Sequence, residues 1–152
     1  MLKENIKIVA KNKKAWHEYT ILETHEAGVA LTGTEVKSIR QGKINMKDCY
    51  AKITDGELFV EGMHISPYDH GNIFNVDPMR TRKLLMHKHE IRRLYARIKQ
   101  DGLTLIPLSL YFKRSKMKME LGLAKGKKMF DKREDTAKRE AERRIEKYMK
   151  NK

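Results

Sequence analysis

The sequence predicts a mainly β protein, a small barrel with two or three appended helices and a basic C-terminal tail. Three observations predict it. Short runs of alternating apolar and polar residues recur through roughly the first 124 positions. Turn signals divide those runs, the clearest being Asp55-Gly56. Beyond Leu123-Ala124-Lys125-Gly126-Lys127-Lys128 the apolar alternation stops, and a charged segment follows that cannot bury a core.

Each element has a local reason. Ile6, Ile8 and Ala10 alternate with Lys7, Val9 and Lys11 and predict a first strand. Tyr19 to Leu22 and Val29 to Leu31 read as two extended segments, with Glu26-Ala27-Gly28 at a turn between them. Thr34 is the expected N-cap of a short helix, with Glu35 in its first turn, Val36 and Ile39 inward, and Gly42 just past its end. Cys49 to Thr54 and Glu57 to Val60 flank Asp55-Gly56 as a hairpin. Ser66 to Lys83 has little periodicity and contains Pro67, Gly71 and Pro78; a stretch that long without structure is usually functional or mobile. Ile91, Leu94, Tyr95 and Ile98 then fall at helical spacing, closed by Gly102, with Arg92, Arg93, Arg97 and Lys99 on the opposite face. Leu103 to Phe112 is one long strand or two, interrupted at Pro107. Met117, Met119, Leu121 and Leu123 alternate with Lys116, Lys118, Glu120 and Gly122 as a half-buried strand. Several short strands with two interrupting helices suit a partly open, OB-like barrel. In the tail, Ala137, Ala141, Ile145 and Tyr148 form a thin stripe at helical spacing. Two of the four are alanines, so the tail is expected to be disordered when free and helical when bound.

The charge balance narrows the partners. The chain of 152 residues carries a formal charge of +14 with a pI near 9.9. Counted from Lys125 onward, 12 basic and 6 acidic residues leave +6 on the tail, and the body keeps +8. Both parts are therefore polyanion-seeking. Cys49 is the only cysteine, so no disulfide forms within the chain, as expected for a reducing cytoplasm. No apolar run approaches the roughly 20 residues of a membrane span. The six histidines lack zinc-ligand spacing, and P-loops, GxSxG elbows and paired carboxylates in apolar settings are absent. The expectation is a protein that is not an enzyme, with no cofactor and no metal.

Candidate contacts follow from side-chain chemistry. Asn12-Lys13-Lys14-Ala15-Trp16-His17 combines cations for phosphates with an indole that can stack on an unpaired base or cap the core. Arg80, Arg82 and Lys83 gather beside the long loop, and arginine forks suit phosphate and purine edges. Lys113-Arg114-Ser115-Lys116 reads as a solvated basic hairpin tip. Glu26 is surface decoration or, on a cationic face, an acceptor for a base or a 2′-hydroxyl.

The chain also resembles a known family, the SsrA-binding proteins, called small protein B. The matching runs are Asn12-Lys13-Lys14-Ala15 with His17-Glu18-Tyr19, Glu26-Ala27-Gly28, and Glu35-Val36-Lys37-Ser38-Ile39-Arg40 with Gly42-Lys43. Asp77-Pro78 with Arg80-Thr81-Arg82-Lys83-Leu84-Leu85 follows, then Pro107-Leu108 with Leu110-Tyr111. Last come Leu123-Ala124-Lys125-Gly126-Lys127-Lys128 and Asp131-Lys132-Arg133. The resemblance implies an OB-like barrel, residues 1–124, that binds transfer-messenger RNA (tmRNA) on its tRNA-like part, and a tail, residues 125–152, helical on the ribosome. It implies that the tail enters the vacant mRNA path of a stalled ribosome, at the decoding centre of the small subunit, in trans-translation. By position it assigns RNA contact to Asn12, Glu26 and Arg82-Lys83-Leu84-Leu85, alongside Lys13, Lys14, His17 and Arg80 from side-chain chemistry. Ribosome sensing falls to Gly126, Lys127, Lys128, Asp131, Lys132 and Arg133, with Phe130 among them. Two places depart from the family: Phe130 stands where His is usual, and Met86-His87 where Leu-Asn is usual. The rival readings are a generic OB-fold ribosomal or translation-associated RNA-binding protein and, from another class, an OB-fold enzyme subunit acting on a polynucleotide.

Overall fold

Alternation in the sequence becomes a seven-stranded antiparallel sheet in the computed structural model, which describes residues 5–69, 75–126, 139–141 and 143–144. The elements in chain order are β1 Ile6–Lys11, α1 Lys13–Glu18, β2 Tyr19–Val29, α2 Gly33–Arg40, β3 Ile44–Asn45, β4 Tyr50–Thr54 and β5 Glu57–Glu61. Then come β6 His64–Ile65, β7 Arg82–Leu85, α3 Lys88–Asp101, β8 Thr104–Lys113 and β9 Lys116–Gly126. The sheet runs β1-β8-β9-β2-β7-β5-β4, and β3 with β6 form a separate pair. The sheet curls until β4 approaches β8, which makes the partly open barrel.

Period-2 alternation explains the interior. Leu105, Leu110 and Phe112 of β8 meet Met117, Met119, Leu121 and Leu123 of β9, with Leu58, Val60 and Leu84 from the far strands. Ile91 and Leu94 of α3 join the same core. At about 1.5–3 kcal/mol for each large apolar side chain taken out of water, this cluster dominates the stability. A second, small core lies on the other face of β8 and β9. There Ala15 of α1 packs with Ile106, Leu108 and Ala124, flanked by Tyr19 and Ile21. Gly122 makes room for it: a Cβ at that position would lie 3.0 Å from Leu108 Cδ1 and 3.2 Å from Ile21 Cγ2.

Several expectations change. β2 is one strand of 11 residues, so Glu26-Ala27-Gly28 lies within a strand rather than at a turn. Its pairing with β9 along nearly the whole length, from Tyr19–Gly126 to Gly28–Lys118, stabilises an extended run that local propensity alone does not specify. α2 is capped by Thr32, not Thr34. Thr32 Oγ1 accepts from the Glu35 amide and Glu35 Oε1 accepts from the Thr32 amide, a complete capping box. β8 is a single strand; the irregularity sits in its pairing with β9 between Pro107 and Ser109. In β1, Ile6 and Ile8 face outward, and a register shift between Ile8 and Ala10 puts Val9 and Ala10 against the core. Cys49 is buried just ahead of β4, where burial pushes its thiol up to about 12.

Both tight hairpins use left-handed turn residues. Asp55 and Gly56 have φ of 52° and 76°, as an Asp-Gly loop favours. Arg114 and Ser115, with φ of 51° and 67°, hold the same region without a glycine. L side chains cost about 1–2 kcal/mol each there. The last strand of the body ends at Gly126, two residues past the boundary expected at 124. Residues 139–141 and 143–144 are helical and exposed. The remaining expectations for the tail, including Lys127, Lys128, Phe130, Asp131, Lys132 and Arg133, lie outside the described residues, as does Gly71.

Candidate nucleic-acid interface

The amino end of α1 is fixed by Asn12. Its amide nitrogen donates to Leu108 O and its side-chain Nδ2 to Pro107 O, both at 2.9 Å. Buried in this way, Asn12 is a clamp that docks α1 on β8. What it presents outward is its neighbours: Lys13 and Lys14 are exposed, and Trp16 is 52% exposed and so does not cap the core. His17 is half-buried.

β7 divides its residues by face. Arg82 and Leu84 point inward and are fully buried, whereas Lys83 and Leu85 point outward. Of the four residues expected to contact RNA, two are therefore buried and two are exposed. Arg82 donates from Nε to Glu35 Oε2 at 2.8 Å, from Nη2 to Pro78 O at 3.0 Å, and from Nη1 to Met63 O. Arg80 binds the same carboxylate through Nε at 3.2 Å and Nη2 at 2.5 Å. Burial pushes the Glu35 carboxyl up, but hydrogen bonds from Arg80, the Thr32 amide and Arg82 outweigh it and hold it below the usual range. Burial likewise pulls Arg82 down and Glu35 opposes it. This ion cluster joins α2, β7 and the segment after residue 75.

Glu26 lies on the outer face of β2. It accepts from the Tyr111 hydroxyl at 2.5 Å and from Lys113 Nζ at 3.4 Å. The Tyr111 hydrogen bond, helped by Lys113 and working against burial, lowers its carboxyl from the ordinary value. Across the sheet Glu26 pairs with Glu120, Glu120 with Ser109, and Ser109 with Lys11. At about 4.8 Å per strand, that row joins Glu26 to the residue before Asn12 over roughly 14 Å. Gly28 pairs with both Leu85 and Lys118, and a Cβ on it would come within 3.3 Å of Leu85 Cβ. Leu85 therefore sits flat beside a cavity of about 380 Å³ formed by Glu26, Met86, His87 and Lys118. His87 caps α3 by position and stacks on His89 with ring centres 5.7 Å apart. The neighbouring cleft, about 610 Å³, is lined by both signs, Arg93 and Arg97 of α3 with Glu23, Glu26 and Glu90, and Arg97 is held by Glu23 at 2.8 Å.

Of the expected contacts, the outer face brings together Glu26, Lys83 and Leu85. Lys13, Lys14 and His17 lie at the far end of the same sheet, and Arg80 is half-buried on the cluster around Glu35. Sequence reasoning missed Tyr111, Lys113, Lys118, Arg93 and Arg97 as members of this surface. The outward alternation Lys116, Lys118, Glu120 was the available signal for Lys118. Among the described residues there is no group of three metal-ligating side chains, and no helix is long and apolar enough to cross a membrane.

A small cationic β-barrel, with an outer sheet face that combines lysines, a held carboxylate and an exposed leucine, is built like a nucleic-acid-binding barrel. Comparison with known proteins makes the class specific. Residues 9–151 match the family described as SmpB protein. The SsrA-binding protein of Ruminiclostridium cellulolyticum is 60% identical over 150 residues, covering 99% of this chain and 97% of that protein. The SsrA-binding protein of Caldicellulosiruptor bescii is 61% identical over 146 residues, covering 96% and 92%. A solved chain from "tmRNA-SmpB: a journey to the center of the bacterial ribosome" superposes with a TM-score of 0.65 at 55% identity, over 79% of this chain and 85% of that one. The chain belongs to the SmpB family.

Proposed function

We infer that this protein binds tmRNA and delivers it to stalled ribosomes in trans-translation. The observation that carries the reading is the match along nearly the whole chain, body and tail together, to proteins named for binding SsrA RNA. The body grips the tRNA-like part of the RNA. Lys13, Lys14, Lys83 and Lys118 neutralise phosphates, Glu26 accepts from a base or a sugar hydroxyl, and Leu85 offers an apolar contact. Asn12 positions α1, and Arg82 with Leu84 holds β7, so these three act through the surface they support. The tail enters the vacant mRNA path of the small subunit, where Gly126, Lys127, Lys128, Phe130, Asp131, Lys132 and Arg133 report that mRNA is missing. The protein acts in the cytoplasm as a binding adaptor and performs no covalent chemistry of its own.

Two measurements test this. Titration with tmRNA should give an affinity that falls log-linearly with salt, by about 0.7 to 0.9 per phosphate neutralised. A chain ending at Gly126 keeps every β9 pairing and should fold and bind the RNA, yet fail to support tagging on stalled ribosomes. A salt slope near zero would overturn the RNA reading. Full tagging by the truncated chain would overturn the division of labour.

A further inference from the structure

Two histidines stack at the edge of the outer face, where a change of charge would be felt by a bound polyanion. His87 lines the cavity of about 380 Å³ together with Glu26, Leu85 and Lys118, so its ring shares the surface proposed to meet RNA. Its main-chain carbonyl accepts from the Glu90 and Ile91 amides at 3.0 and 3.1 Å and starts α3, but its side chain makes no capping hydrogen bond. The ring lies instead against that of His89, with centres 5.7 Å apart and planes inclined by 17°. We propose that this pair makes the grip on RNA proton-linked: it takes up a proton from solvent as a phosphate of the RNA settles beside it. The proposal rests on the reading of the protein as a tmRNA-binding adaptor and concerns the regulation of that same surface.

Imidazole is the side chain whose charge changes between pH 5 and 8. Both rings are exposed, so protons reach them freely. Stacked this closely they repel when both are charged, so the free pair takes a first proton readily and a second reluctantly. The fixed charges around it are mixed. Glu26 of β2 and Glu90 of α3 line the same cavity and favour a proton, and His89 Nε2 lies 4.0 Å from Glu90 Oε1. Lys118 of β9 lines it too and opposes one, as does Lys88 between the two histidines. β7 gives Leu85 to the wall and, two residues earlier, Lys83, which Glu57 holds at 3.4 Å. In the neighbouring cleft Arg97 holds Glu23, Arg93 lies beside them, and His25 Nε2 lies 3.3 Å from Glu23 Oε1. Carboxylates and ammonium groups keep their charge between pH 6 and 8. Glu26 and Glu90 offset Lys118 and Lys88, so an arriving phosphate supplies the net negative charge that favours the protonated ring. Affinity therefore rises as pH falls.

The test follows the affinity of the full chain for tmRNA transcript by fluorescence anisotropy at pH 6, 7 and 8, at one fixed ionic strength. Wild type should bind about three- to sixfold more tightly at pH 6 than at pH 8, the effect of an imidazole whose proton affinity a neighbouring anion raises by about one pH unit at most. His87→Asn keeps a side chain suited to the cap of α3 and cannot titrate. It should fold, match wild type at pH 8 and lose most of the gain at pH 6. His89→Gln removes the repelling partner, so His87 is charged earlier in the free protein and the gain should shrink. His25→Gln should keep the wild-type profile. A gain that persists in His87→Asn overturns the proposal, and its disappearance in His25→Gln would move the linkage to that ring. Equal affinity of the wild type at pH 6 and pH 8 overturns it as well. Binding by His87→Asn that is weaker by the same factor at every pH gives His87 an uncharged contact and also overturns the proton linkage. If the wild type bound no tmRNA at any pH, the adaptor reading itself would fail.

Discussion

Replacing Glu35 with Ala should be among the most damaging single changes in the body, although Glu35 touches no RNA in the reading above. Three interactions end at once. Arg82 loses the anion at 2.8 Å, Arg80 loses two of its hydrogen bonds, and the Thr32 amide loses its acceptor. Arg82 is fully buried, so its charge is left without a counter-ion. Breaking a buried pair from one side costs about 3–5 kcal/mol. Losing half of the capping box adds a fraction of the roughly 1 kcal/mol a cap is worth. A total near 4 kcal/mol should lower Tm by about 8–16 °C in a chain of this size. Thermal melting followed by circular dichroism reads it directly. Glu35→Ala with Arg82→Met removes both charges and should recover most of the loss. The pH dependence has a definite sign. The folded-state carboxyl titrates below its ordinary value of 4.5, so its contribution is full above that value and is lost as pH falls through the lower folded one. The gap between wild type and Glu35→Gln should therefore be constant near neutrality and shrink only in acid, once pH falls below the ordinary carboxyl value of 4.5. A melting shift under 2 °C for Glu35→Ala, or a gap that closed near pH 7, would refute the cluster as a structural tie.

Three more outcomes are expected. Glu26→Ala should weaken tmRNA binding by about 1–3 kcal/mol, and Tyr111→Phe should weaken it less, because it frees the carboxylate without removing it; tighter binding by Glu26→Ala in a filter assay would mark the carboxylate as mere repulsion. Gly122→Ala should cost about 1–3 kcal/mol by pushing Leu108 and Ile21 out of their seats and loosening α1, visible as lower Tm with weaker RNA binding; unchanged melting would show that the small core gives way freely. Phe130→Ala should reduce tagging while leaving tmRNA affinity intact, and Phe130→His or Phe130→Trp should keep it, as stacking on a base needs only a π face; wild-type tagging by Phe130→Ala would exclude the stacking role.

Where the fold could be read from sequence, local signals and tertiary structure agreed. The helix over Ile91, Leu94 and Ile98, the Asp55-Gly56 hairpin and the alternation of Met117, Met119, Leu121 and Leu123 all depend on neighbours a few residues away. The errors came where distant pairing decided. β2 runs straight through Glu26-Ala27-Gly28 because β9 lies beside it, and nothing within the segment announces that partner. Thr32 caps α2 because its hydroxyl reaches the Glu35 amide, while Thr34 offers a similar local pattern two residues later. Arg80-Thr81-Arg82-Lys83 reads as one basic cluster along the chain. The pleat of β7, with Glu35 waiting beneath it, sends Arg82 inside and leaves Lys83 outside. Composition could not separate these cations, because only the register of a strand decides which of two neighbours meets water.

The same register explains how a carboxylate persists on the face proposed to attract phosphate. A free glutamate beside RNA would repel the backbone and move among rotamers. Glu26 instead sits diagonal to Tyr111 across β9 and takes its hydroxyl, with Lys113 reaching the same oxygens. These contacts offset its charge locally, and they lower its carboxyl so that it stays an acceptor throughout the neutral range. They occupy part of its lone-pair capacity and leave the remainder for a donor on a base or a sugar. Phosphates carry no hydrogen-bond donor at neutral pH, so an acceptor held in this way discriminates for nucleoside edges and 2′-hydroxyls and against bare backbone. Under the proposed function, specificity at this surface depends on Tyr111 and Lys113 as much as on Glu26. Their substitution should relax discrimination between tmRNA and unrelated structured RNA before it abolishes binding.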